Sequence, residues 1–205
     1  IKTIDPSAEV SGPVIDYWWN YFYSKQDIEN GWSHGPCYQP WDDPTDRAAH
    51  GGVAMIEYYL QQFKAAQATY GMRLLDYVDI HGYDAATYNG ASVGFATAGD
   101  TGEQEARINS TRALWDATYT DPNLPQPNYS TDGNYTTSCN LPLQAPQLIP
   151  MLRKWVANDY PGTKTAIDEY NWGGLESING ALTQADVLGI FGQYGLDLGA
   201  LWGPP

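Results

Sequence analysis

Glu169 closes the run Lys164-Thr-Ala-Ile-Asp-Glu-Tyr-Asn-Trp172 and is followed at once by tyrosine, asparagine and tryptophan. A carboxylate at the mouth of a short apolar stretch, beside groups able to stack on and hydrogen-bond a sugar ring, fits the nucleophile of a retaining glycosidase. It also fits a solvated strand-end glutamate or an ion-pair partner. Retention requires a second carboxylic acid to protonate the leaving oxygen. Asp168 is a poor candidate, because adjacent residues of a strand point to opposite faces, so the two carboxylates are expected on different sides. The other groups with chemistry to offer are His81, Tyr83 and the tryptophans Trp18, Trp19, Trp172 and Trp202. The histidine and tyrosine suit either orientation of a nucleophile or a satisfied interior position. The tryptophans suit either sugar stacking or core packing.

The elements that must position these groups are legible from periodicity. Ile1 to Ile4 read as the end of a helix stopped by Asp5-Pro6. Glu9 to Ile15 read as a strand, and Gly31 to Asp46 as a long surface loop. Val53, Ile56, Leu60, Phe63 and Tyr70 recur at helical spacing, which predicts a helix over about 50–70 closed by Gly71. Arg73 to Tyr83 follows as a strand, with Tyr77, Asp79, His81 and Tyr83 on one face and Val78 and Ile80 on the other. A glycine-rich loop from Asn89 to Gly102 leads to a helix over about Glu103 to Tyr119, and 120–145 reads as loop. A helix over about Ala145 to Asn158, the strand Lys164 to Tyr170, and a helix from Thr183 to Tyr194 follow, the last opened by a capping-box-like Thr183 and Asp186. The final run, Leu196 to Trp202, is almost wholly apolar, as a strand covered on both faces should be.

Strands alternating with helices imply βαβ units and a parallel sheet. The expected fold class is α/β, and four strands make half of a (β/α)8 barrel. At 205 residues the chain is short for a whole barrel, which takes about 250, and both ends look cut. In such a barrel the functional residues gather at the carboxyl ends of the strands. That rule selects Trp18, Trp19, His81, Tyr83, Glu169 to Trp172 and Trp202, a set rich in sugar-binding types.

Ten basic against 24 acidic residues give a net charge of −14, which argues against nucleic acid and anionic membrane surfaces as partners and leaves a neutral ligand as the natural one. Eight Trp and 16 Tyr against four Phe favour rings that can both pack and face hydroxyl groups. No stretch approaches the ~18 apolar residues of a membrane span. Cys37 and Cys139 belong to no local metal pattern, and either pair in an exported protein or stand as unrelated thiols. Asn109, Asn128 and Asn134 match the N-glycosylation pattern, which is too short to establish modification.

The stretches Tyr160 to Gly174 and Ile178 to Gly192 closely resemble glycoside hydrolase family 44, as do Asp5 to Pro13, Asn20 to Ser24 and Leu75 to His81, in the same order. The likeness covers most of the chain and is weakest from about Thr120 to Ala145. It implies a TIM barrel of which this chain carries strands five to eight, a partial catalytic domain over 1–205 truncated at both ends. The implied activity is retaining hydrolysis of endo-β-1,4-glucans (cellulose, carboxymethylcellulose or xyloglucan). The rival readings are a barrel hydrolase acting on xylan or mannan, and a non-catalytic carbohydrate-binding protein. By motif, Glu169 matches the nucleophile, and the acid/base Glu of an Asn-Glu-Pro segment is expected upstream, since no Asn-Glu pair occurs here. The resemblance further assigns His81 and Tyr83 to positioning Glu169, Trp202 to stacking under the sugar at the cleavage point, and Trp18, Trp19 and Trp172 to neighbouring subsites. Secretion, a polysaccharide partner and a following β-sandwich domain are expected. No cofactor is required, and no metal is expected, because the Asp residues show no calcium-loop spacing. Two departures stand out: Asp168 where the family has Thr, and Gly82 where it has an aromatic residue, which removes a side chain near the cleft.

Overall fold

The computed structural model describes residues 1–16, 18–33, 44–94, 96–121, 123 and 145–203. Tyr17, Cys37, Cys139, Asn128 and Asn134, and with them the disulfide reading, lie outside these residues. Four parallel strands form one sheet in the order β1 (Ser11–Ile15), β2 (Tyr77–His81), β5 (Lys164–Tyr170), β6 (Leu198–Leu201). Helices fill each crossover. The short α1 (Lys25–Ser33) and α2 (Thr45–Ala49), then α3 (Met55–Tyr70), join β1 to β2. After β2, α4 (Thr101–Ser110) and α5 (Leu148–Asp159) precede β5, and α6 (Ile178–Tyr194) precedes β6. This is the alternation expected of part of a βα barrel, and sequence neighbours in the strand series are neighbours in the sheet.

The core lies between the sheet and the helices. Val78 and Ile80 of β2, Ile167 of β5, Ile56 and Leu60 of α3, Ile149 and Leu152 of α5 and Val187 of α6 are buried together. Of these, Ile56, Leu60, Val78 and Ile80 are residues that the periodicities mark, whereas Tyr70, marked with them, is exposed. Helix α3 begins at Met55, later than the apolar pattern alone suggests, because Gly51 and Gly52 adopt left-handed geometry after α2 and break the path. Its entry is fixed by Glu57, whose carboxylate accepts from the Ala54 N–H at 3.0 Å.

Four expectations need correction. Helix α4 stops at Ser110 instead of running to Tyr119, and a 3-10 turn over Thr111–Leu114 replaces the rest. The Ser110 and Thr111 hydroxyls donate to the Arg107 and Ile108 carbonyls at 2.7 and 2.8 Å, in the helix-loosening way of short hydroxyl side chains. Helix α6 starts at Ile178, capped by Ser177, whose hydroxyl accepts from Gly180 N–H. Thr183 is therefore interior and donates to the Asn179 carbonyl, while Asp186 shares the single Thr111 hydroxyl proton with the Ile108 carbonyl. The glycine-rich loop contains a hairpin of β3 (Thr87–Tyr88) and β4 (Ala91–Ser92), turned by Asn89-Gly90 with both φ positive. Finally, β6 is exposed along its whole length, with Leu198 at 42% and Leu201 at 45%. Within the described residues it pairs only with β5, so an apolar sequence is not matched by cover on both faces.

Candidate active site

The carboxyl ends of β2 and β5 lie side by side, and their pairing builds the site. Up to Ile80 and Ile167 the two strands advance in step, but His81 pairs with Glu169, so β5 carries one extra residue at Asp168. The pairing of β5 with β6 slips over the same stretch. A bulge of this kind re-aims side chains. It overturns the parity expectation, because Asp168 and Glu169 both meet the imidazole of His81. Glu169 Oε2 lies 3.1 Å from His81 Nδ1, and Asp168 Oδ1 lies 3.5 Å from Nε2.

Glu169 has a second holder. The Tyr83 hydroxyl donates to Oε2 at 2.7 Å, and Tyr83 stands edge-on to His81 at 6.1 Å between ring centres. The loop that delivers Tyr83 is itself pinned to β5, since Gly82 N–H donates to the Glu169 carbonyl at 2.8 Å. From the other side, the Tyr21 hydroxyl donates to the His81 carbonyl. Burial, and then the Glu169 carboxylate, push the Tyr83 phenol well above its ordinary range, which suits it as the donor to Glu169.

Beneath this group is a layer of carboxylates. Asp79, buried in β2, accepts from Ser11 on β1 and from the backbone N–H of Asp168, the latter at 3.2 Å. Burial, and then the Asp79 charge, raise the proton affinity of Asp168. The bond from Ser11 through Asp79 to Asp168 spans three strands and explains how a polar row is tolerated inside the sheet.

The tryptophans divide. Trp18 and Trp172 are buried and line a cavity of about 200 Å³ together with Asp16, Tyr21, Tyr83 and Asp84. Trp172 is anchored there by its Nε1–H, which donates to Ser110 Oγ at 3.1 Å. Trp19 is buried against Tyr23, and its ring is not part of that wall. Trp202 follows β6 and is 59% exposed, its backbone held to Tyr170 and to the Asn171 side chain. Glu169, His81 and Tyr83 are thus brought into contact, Trp18 and Trp172 share a wall with Tyr83, and Trp19 joins neither group.

Two polar residues of the site were not singled out from the sequence. Asp79 is placed by strand parity on the face of His81 and Tyr83, but the sequence gives it no role there. Asp84 carries no such signal: it is buried in the cavity wall, and burial pushes its carboxyl up to about 7 although its Oδ1 accepts from Ala86 N–H. No group of three or more His, Cys, Asp or Glu with metal-binding geometry exists among the described residues.

With this geometry in view, comparison with known proteins is informative. Endoglucanase A of Paenibacillus lautus is 36% identical over 202 residues, which is 98% of this chain and 25% of that protein. β-Mannanase/endoglucanase A of Caldicellulosiruptor saccharolyticus is 37% identical over 207 residues, covering 99% of this chain and 14% of its own length. Among solved structures, CelM2, a bifunctional glucanase-xylanase from a metagenome library, superposes with a TM-score of 0.78 at 38% identity over 100% of this chain and 34% of that one. The chain therefore spans a quarter or less of these two curated relatives and about a third of the solved one. The sequence profile of glycoside hydrolase family 44 matches residues 1–86, the part that holds β1, β2, His81 and Tyr83. Profile, relatives and fold agree in likening this chain to glycoside hydrolase family 44.

Proposed function

We propose that this chain is part of a longer, secreted retaining endo-β-1,4-glucan hydrolase, in which Glu169 is the nucleophile and the acid/base Glu lies outside these 205 residues. The observation that carries this reading is the double hold on Glu169 Oε2, by Tyr83 at 2.7 Å and His81 at 3.1 Å, at the carboxyl end of a barrel-type strand. The Tyr83 hydrogen bond and the His81 contact on one oxygen restrict the carboxylate and leave Oε1 to attack an anomeric carbon. Attack forms a glycosyl ester and expels the leaving oxygen, which the missing acid protonates. That residue, now a base, activates water, and the ester opens with retention. The two carboxyl groups must stand about 5–5.5 Å apart for this. The exposed Trp202 is the proposed platform for the sugar at the cleavage point, with Trp18 and Trp172 shaping the neighbouring wall.

The names of the curated relatives support glucan as substrate, and they also supply the competing substrates, since one is called a β-mannanase and the solved relative a glucanase-xylanase. The test is to incubate the full-length protein with a 2-deoxy-2-fluoro cello-oligosaccharide bearing a good leaving group and to locate the trapped sugar by mass spectrometry. A glycosyl ester on Glu169 is the expected result. A label on any other carboxylate, or inverted product by NMR, refutes the assignment. Parallel assays on carboxymethylcellulose, xyloglucan, xylan and mannan rank the substrates. Binding without turnover would mean a carbohydrate-binding protein.

A further inference from the structure

Asp168 has no role in the reaction as written, yet the bulge at the end of β5 places it against the imidazole that touches the nucleophile. Its Oδ1 is buried, makes no hydrogen bond among the described residues, and lies 3.5 Å from His81 Nε2. A buried carboxylate oxygen left in that state needs an explanation.

We propose that Asp168 is a positioning residue for Glu169, acting through His81: it holds the ring by Nε2 so that Nδ1–H stays on the nucleophile. This rests on the reading of Glu169 given above. The imidazole stands between two carboxylates, with one nitrogen facing each. A neutral ring has a single N–H and can satisfy only one of them, leaving a lone pair aimed at the other. Both contacts become favourable when one proton is shared between Asp168 and His81. Either the ring is an imidazolium between two carboxylates, or Asp168 is protonated and donates to Nε2. The two descriptions carry the same charge, and in both Nδ1–H faces Glu169.

The surroundings favour keeping that proton. Asp79 of β2 lies beneath and bonds to the Asp168 backbone, Glu169 is on the same strand, and Tyr83 and Asp16 face the cluster from the loops after β2 and β1. The Leu198–Leu201 segment of β6 contributes no titratable group. The cluster is therefore acidic, with His81 as its only basic member among the described residues. Burial and the Asp79 charge raise the proton affinity of Asp168 in the same direction.

The test uses the full-length protein with Asp168→Asn and Asp168→Ala. In the first arm, the His81 ring is followed by 15N NMR against pH, its signals assigned by comparison with His81→Gln. The shared proton is expected to leave at least about one pH unit lower in Asp168→Asn, because an anion beside the ring has become neutral. A change below about 0.3 unit overturns the proposal. This arm needs no turnover, so it decides the question even if no polysaccharide is cleaved and the hydrolase reading fails. In the second arm, Asp168→Ala is expected to lower kcat tenfold or more with KM within twofold. Asp168→Asn should recover most of that loss, since its Nδ2–H can donate to Nε2 and keep the ring in place. Equal kinetics for Ala and Asn, or an unchanged kcat in Ala, refute the positioning role. If the Ala variant does not fold, the NMR arm on Asp168→Asn still decides.

Discussion

Gly82 lies so close to Ile167 that a Cβ placed on it would stand 2.9 Å from Ile167 Cγ2 and 3.3 Å from Cδ1. The absence of a side chain at this position, which also lines the cavity, lets β5 press against the turn that carries Tyr83. The Gly82 N–H bond to the Glu169 carbonyl depends on that approach. Gly82→Ala should therefore lower the unfolding free energy by about 1–3 kcal/mol, the usual cost of overpacking a buried contact. Chemical denaturation measures it, and an unchanged midpoint would show that Ile167 can yield without cost.

Much of this arrangement is legible in the sequence. The strand Lys164–Tyr170 has the bounds the sequence predicts because apolar residues and turn signals coincide there, and the barrel rule puts His81 and Tyr83 in the same strand-end set as Glu169, while only the family resemblance assigns them to position it. The bulge at Asp168 was not legible, because strict alternation assumes an unbroken register, and register is a property of two strands. Exposure on β6 was missed for a related reason: an apolar run records what a strand is suited to, while cover depends on what packs against it. Asn89-Gly90 is a recognised hairpin signal, but short two-residue strands flank it, too brief for any alternation to register.

Tyr83→Phe removes one donor from Glu169 and changes little else. A hydrogen bond to a charged acceptor contributes about 1.5–3 kcal/mol, so kcat/KM of the full-length protein should fall about 10- to 150-fold while its thermal midpoint moves little. Steady-state kinetics on a soluble glucan provide the check. A loss below threefold would mean that His81 alone fixes the carboxylate.

Trp202 is more than half exposed and contributes little to the core, so Trp202→Ala should leave stability within about 0.5 kcal/mol of wild type. If its ring stacks under a sugar, substrate affinity should drop by about 1–3 kcal/mol in the same variant. Calorimetric titration with a cello-oligosaccharide into Glu169→Gln, with and without the tryptophan change, isolates binding from turnover. Equal affinities would remove Trp202 from the substrate path.

Arg107 ties the loop beside Trp172 to the helices. Its guanidinium is fully buried and donates to the carbonyls of Val93, Thr97 and Ala98, to Asn179 Oδ1 at 2.7 Å and to Glu103. The same loop closes over Gly173, where an added Cβ would meet the carbonyls of Val93, Gly94 and Ala96 at 2.7–2.8 Å. Arg107→Met keeps the volume but strands those acceptors and leaves Glu103 without its cation. A loss of about 3–5 kcal/mol is expected, with Arg107→Lys intermediate because an ammonium lacks the planar fork. Unfolding midpoints of the two variants test the order.

Asp84 should make stability depend on pH in a direction opposite to that of ordinary paired carboxylates. Burial raises its carboxyl from 3.8 to about 7, so the folded protein holds this proton more tightly than the unfolded chain does. Its contribution is fully present below about pH 4 and is lost as pH rises through about 7, because ionisation must then occur in the cavity wall. Each pH unit of difference corresponds to about 1.4 kcal/mol, which bounds the effect at about 4 kcal/mol. Asp76 and Asp116 are shifted down and act in the opposite sense, so the total slope is a mixture. The difference between wild type and Asp84→Asn isolates the one group, since the amide oxygen can still accept from Ala86 N–H while carrying no charge. Urea unfolding at pH 4.5 and 7.5 should show the variant gaining on wild type at the higher pH; parallel behaviour of the two proteins would mean that Asp84 is already ionised in the fold.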